Sequence, residues 1–229
     1  MTHLKTLTAP TSWPIKRKGV TFIIRPKPGK SFAISMPLAL IFKRLLKYCK
    51  TSKEVKAILH DKEILVDGQR RKNPKYLVGF MDAMSIPLTK EYYRLLLSKT
   101  QKLQIIPISA EESKIKVAKI NGKTLLRKGK LQLNLFDGRN ITVKEDKFKV
   151  GDSVLITLPK QEIKELFELK KGSCAFLTGG KHVGEYGIIE HISTEKQGLI
   201  TIKTKEGTFD TSKQFVFVIG KEKPAVKLD

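Results

Sequence analysis

The 229-residue chain carries 45 Lys and Arg against 22 Asp and Glu, a formal net charge of +23, with 40% hydrophobic residues. Such an excess of one sign repels itself in the compact state and suits a polyanionic partner. Nucleic acid is favoured over a membrane surface, because no long amphipathic helix carries the charge. No window approaches the roughly 18 apolar residues of a transmembrane helix. Residues 1–30 lack the apolar run of a signal peptide, so a cytoplasmic protein with no membrane partner is expected. Cys49 and Cys174 lie far apart without a CxxC, and read as buried structural thiols.

The charge is lopsided. Residues 1–53 contain twelve Lys and Arg, and the first acidic residue is Glu54. The first hundred residues are net +15 and the remainder net +8. The opening stretch, punctuated by Pro10, Pro14, Pro26 and Pro28, reads as an extended basic arm over residues 1–36, with one short strand at Val20 to Ile24. Such an arm is expected to order against something negative. Its only tryptophan, Trp13, has two readings, packed on the protein or stacked on a base.

Residues 37–100 read as a small unit of two helices and a sheet. Pro37 suits a helix N1 position, and Leu38, Ile41, Phe42, Leu45, Leu46 and Cys49 follow a 3.6-residue period. Thr51 to Glu54 has capping-box spacing and opens a second helix. EILVDGQRR then has the alternation and Asp-Gly turn of a hairpin. From Lys102 the pattern is strand and turn, a central β-rich part over 101–168 and a small barrel over 169–229. Asn121-Gly122 and Asp137-Gly138 predict hairpin turns, and Gln161 to Phe167 a short helix. The fold class is therefore α+β in several modules.

Catalysis finds little support. PKPGKS and INGKT contain Gly-Lys-Ser/Thr, but a phosphate loop needs a further glycine where Ile24 and Val117 stand. No GxSxG is present, paired carboxylates are scarce where the basic charge is densest, and His182 and His191 stand nine apart without cysteines, so no catalytic or metal residues are assigned. Neither a cofactor nor a small-molecule substrate is expected. The stretch FLTGGKHVGEYGIIEHI (Phe176 to Ile192) then reads as a glycine-shaped turn, with Lys181 and His182 at its tip facing phosphate or ribose. The plain alternative is a glycine-rich hairpin that touches nothing.

Two segments resemble known modules. Leu38 to Ile86 is similar to the "S-four" RNA-binding domain, and Phe176 to Ile192 resembles a KOW motif with Gly187 as its characteristic glycine. Glu185 falls where KOW motifs often carry a basic residue, so no phosphate contact is assigned there. In series, HLK…APTSW, VDG…R, GFMD…SI, VGD, TGGK…GEYG and FVIG are similar to the archaeal and eukaryotic small-subunit ribosomal protein "S four e" family. The resemblance implies a non-catalytic constituent of the small subunit, bound to ribosomal RNA and neighbouring ribosomal proteins, with an SH3-like last module. An RNA-modification enzyme subunit and a KOW-type transcription factor are the alternatives.

The RNA-binding candidates fall in three groups. Lys5, Trp13, Lys16, Arg17, Lys18 and Arg25 lie in the arm. Lys43, Arg44, Lys47, Lys53, Lys56, Gly68, Arg70, Arg71, Lys72 and Lys75 lie on the first module, where Gly68 lets the turn approach RNA closely. Gly179, Gly180, Lys181, His182, Gly184 and Gly187 belong to the late glycine turn.

Overall fold

The computed structural model describes residues 3–193, 198–204 and 207–228, with the side chain of Lys128 left out. The chain divides into two compact units, Met1–Lys114 and Ile115–Asp229. Both are built largely of antiparallel strands, with two α-helices among the described residues. No described helix is long and apolar enough to cross a membrane.

In the first unit β1 (Leu4–Lys5) pairs with β2 (Phe22–Ile23), and β3 (Ser35–Pro37) pairs with β6 (Leu77–Gly79). Helices α1 (Leu38–Leu40) and α2 (Ser52–Asp61) follow β3. The remaining strands form a sheet in the order β5-β4-β7-β8-β9: β4 (Leu65–Val66), β5 (Gln69–Arg70), β7 (Ala83–Ile86), β8 (Glu91–Leu97) and β9 (Leu103–Pro107). The capping box forms as its spacing predicts. The Glu54 amide donates to Thr51 Oγ1 at 3.2 Å, and the Glu54 carboxylate accepts from the Thr51 amide. Val55 and Leu59 are buried beneath that helix.

The first predicted helix is shorter than its periodicity suggests. Pro37 closes β3 instead of opening the helix. After one α-helical turn, Ile41–Leu45 widens into a π-helical turn, with the Leu46 amide donating to the Ile41 carbonyl at 2.9 Å. Lys47 then adopts a left-handed φ of 59° and stops the helix before Cys49. Ile41, Phe42 and Cys49 are nonetheless buried, so the apolar pattern marks the core correctly where the period misleads.

The second unit holds two five-stranded sheets. One has the order β12-β11-β10-β13-β14: β10 (Ile115–Leu125), β11 (Leu131–Leu135), β12 (Asn140–Val143), β13 (Ser153–Thr157) and β14 (Ile163–Phe167). The other has the order β18-β17-β16-β15-β19: β15 (Cys174–Leu177), β16 (Tyr186–Ile192), β17 (Leu199–Lys203), β18 (Thr208–Ser212) and β19 (Val216–Gly220). Inward residues Ala118, Ile120, Leu133, Val154 and Ile156 form the core of the first sheet.

Two local expectations fail here. Asn121-Gly122 makes no turn; it lies inside β10, where the register with β11 shifts between Ile120 and Gly122. Gln161 to Phe167 is not helical, because Ile163 and Leu166 pack on the core from a strand paired with β13. Asp137-Gly138 does turn, with Gly138 at φ 84°. Both cysteines are free and buried, as their apolar surroundings imply, and burial pushes the Cys174 thiol up to about 11.

Lys119 Nζ donates to the carbonyls of Lys213, Gln214 and Val216 at 3.3, 3.1 and 2.7 Å. Burial, with Lys213 nearby, lowers its pKa from 10.5 to about 8. Between those values the unfolded chain holds a proton that the folded chain has lost, so stability rises with pH. Urea unfolding should show that rise between about pH 8 and pH 9, at no more than about 1.4 kcal/mol per pH unit, because above pH 9 the raised Cys174 thiol acts in the opposite direction. Lys119→Met should flatten it.

Candidate nucleic-acid interface

The arm is folded on its own side chains. Arg17 Nη1 donates to the carbonyls of Thr6, Leu7 and Ala9 at 3.3, 3.2 and 2.8 Å, and Nη2 to that of Pro10 at 2.7 Å. The chain bends around one guanidinium whose fork of donors suits converging carbonyls. Trp13 takes the packed reading: it is fully buried, and Nε1 donates to the Ser35 carbonyl at 2.7 Å. The amide of Leu103 donates to the Ser12 carbonyl at 2.8 Å, and Lys102 Nζ reaches the Thr11 carbonyl. Two arm candidates thus leave the interface. Trp13 shows no ring face, and the Nη groups of Arg17 are engaged with backbone. Lys5, Lys16, Lys18 and Arg25 remain exposed.

A cationic groove opens beside the β4–β5 turn. Asp67 and Gly68 both take positive φ, 52° and 73°, which makes the tight Asp-Gly hairpin the sequence predicts. Lys27, Arg70, Arg71, Lys72, Asn73 and Tyr76 line a groove of about 500 Å³. The Arg71 guanidinium stacks over the Tyr76 ring at 4.5 Å, and its Nε is buried with no hydrogen-bond partner. Arg70 Nη2 donates to the His60 carbonyl at 3.0 Å, tying the hairpin to the end of α2. Lys53 and Lys56 on α2, with Arg44, Lys47 and Lys75, are exposed; Lys43 is half-buried. Lys27 was not anticipated. Its amide donates to the Lys75 carbonyl at 2.9 Å, so the arm runs alongside the segment that follows the hairpin, a pairing no local pattern announces.

The late glycine turn divides between function and packing. It joins β15 to β16, with Gly180 and Gly184 at φ 86° and 84°. Gly179 is there for space, since a Cβ would stand 2.2 Å from the Phe215 ring. Gly187 is buried, and a Cβ would meet the Lys203 carbonyl oxygen at 2.2 Å. It serves close strand approach and cannot touch RNA. His182 is half-buried, stacked on Phe209 with centroids 3.9 Å apart, and Nδ1 lies 3.6 Å from Glu185 Oε2. Lys181 and Gly180 are the exposed members.

The family model described as "Ribosomal family S4e" matches residues 89–163, and that of the RS4NT (NUC023) domain matches residues 2–29. Over 240 residues the chain is 41% identical to a Methanocaldococcus jannaschii protein named small ribosomal subunit protein eS4, covering 99% of this chain and 97% of that one. A protein of the same name from Methanocella arvoryzae is 40% identical over 98% of this chain and 97% of its own length. The fold is similar to the crystal structure of the 30S ribosomal protein S4e from Thermoplasma acidophilum. That likeness has a TM-score of 0.72 and 29% identity, over 85% of this chain and 98% of that one.

Arg17→Ala should loosen the arm without unfolding the units. Hydrogen bonds from a charged donor contribute about 1.5–3 kcal/mol, so tryptic cleavage after Lys16 and Lys18 should quicken about tenfold or more.

Proposed function

The chain belongs to the ribosomal S4e family, and we propose that it is a structural constituent of the small ribosomal subunit that binds ribosomal RNA and catalyses nothing. The observation that carries this reading is the Lys27–Arg70–Arg71–Lys72 groove, set in a unit whose first 53 residues hold no carboxylate. An A-form RNA helix offers phosphates and 2′-hydroxyls on a wide, shallow minor groove, a target for shape and charge more than for sequence readout. Arg71, held over the Tyr76 ring, and Arg70, anchored to the end of α2, present their guanidinium groups with little ordering left to do.

Around that groove, Lys43, Arg44, Lys47, Lys53, Lys56 and Lys75 extend the phosphate-binding surface, and Gly68 brings the hairpin backbone close. Lys5, Lys16, Lys18 and Arg25 carry it along the arm. In the second unit Lys181 and Gly180 supply the contact from a KOW element, within an SH3-like barrel over 169–229. The finer division is an arm over 1–36, an S-four-like module over 37–100 and a central β-rich module over 101–168. Neighbouring ribosomal proteins complete the partners, and the place of action is the cytoplasmic ribosome.

Binding to a structured RNA should fall steeply with salt. With six or more phosphates neutralised, affinity should drop roughly a thousandfold between 50 and 200 mM salt. A triple Arg70→Gln, Arg71→Gln, Lys72→Gln variant should lower the slope of log K against log salt by about 2–3, at roughly 0.7–0.9 per lost contact. A slope near zero in the parent chain would sink the reading.

A further inference from the structure

Among the described residues of the first unit, three of the five exposed large hydrophobic side chains lie in one place, the other two being Tyr48 and Leu88. Leu7, Val20 and Phe22, at 72%, 60% and 56% exposure, all belong to the β1–β2 module. In that ladder Phe22 stands directly opposite Lys5, which places both on one face. Strand alternation puts His3 on the same side as Lys5. The His3 and Phe22 rings do meet, with centroids 5.6 Å apart and planes inclined by 52°. An aromatic pair with a lysine at its edge thus faces outward from a segment that contains no acidic residue.

We infer that the His3–Phe22 pair is a stacking platform for a single unpaired RNA base, with Lys5 holding the adjoining phosphate. This rests on the RNA-binding reading above and adds the kind of nucleotide taken. A paired base has its faces covered by its neighbours, whereas a looped-out base offers an open π-face to an aromatic ring. The basic segment, which has no carboxylate of its own, favours a phosphate-bearing ligand over an apolar protein surface, which would gain nothing from Lys5. Trp13, the more obvious stacking residue, is closed inside the unit, so Phe22 is the aromatic side chain of this module that a base can reach.

The test uses the full chain and two RNAs, a stem with one bulged 2-aminopurine and the same stem fully paired. The parent protein should prefer the bulged RNA and quench its fluorescence. Phe22→Ala should weaken bulged-RNA binding about five- to a hundredfold and leave the paired stem unchanged, with Phe22→Trp restoring the preference. Unaltered Trp13 emission would show that the unit stays folded. Equal losses on both RNAs, or a Phe22→Leu variant as good as the parent, would overturn the platform. A parent chain that binds both RNAs equally would overturn the platform alone; one that binds neither would overturn the RNA-binding reading itself.

Discussion

Four carbonyl oxygens, those of Thr6, Leu7, Ala9 and Pro10, converge on the guanidinium of Arg17, and the organisation of the N-terminal region follows from that contact. A segment without carboxylates cannot form ion pairs with itself. It can still satisfy a cation with backbone dipoles, which orient and desolvate the charge without cancelling it. Lys119 uses the same device in the second unit. Where carboxylates are available, buried cations pair conventionally, Lys30 with Asp82 and Lys116 with Asp137. The backbone contacts of Arg17 and Lys119 hold a cation in the fold without a carboxylate to offset it. Self-repulsion at +23 is the cost, and it is relieved when a polyanion binds.

The glycines of the late turn show how one composition can serve two ends. Gly180 and Gly184 permit backbone angles that side chains disfavour, whereas Gly179 and Gly187 make room for Phe215 and for the Lys203 carbonyl. All four look alike in sequence. What separates them is the partner across the space, which comes from residues some 16 to 36 positions away.

Features that were legible in the sequence are local ones. The Thr51–Glu54 box, the Asp67-Gly68 and Asp137-Gly138 turns and the burial of both cysteines each depend on a few adjacent residues. Long-range competition decided the others. Asn121-Gly122 has turn chemistry, yet the ladders to β11 and β13 hold it within one strand. Gln161 to Phe167 could satisfy a helical period, and pairing with β13 chose period two. At the site, the basic hairpin was visible, but Lys27 was not, because its place depends on a hydrogen bond from its amide to the distant Lys75 carbonyl. Packing was one of the two readings open for Trp13, and its burial settles that choice; the anchoring role of Arg17 was not visible, because carbonyl acceptors belong to every residue and leave no mark in the sequence.

The Arg17 clamp also bears on the order in which the chain takes shape. Its hydrogen bonds span only 7 to 11 residues, so the loop they close has a low entropic cost and needs nothing downstream. Docking of that loop is another matter: the bond from Lys102 to the Thr11 carbonyl spans 91 residues. During synthesis the arm can therefore acquire its bend soon after it emerges, and then waits for β9 before it is fixed in place. In that interval its lysines are already presented on a preformed scaffold.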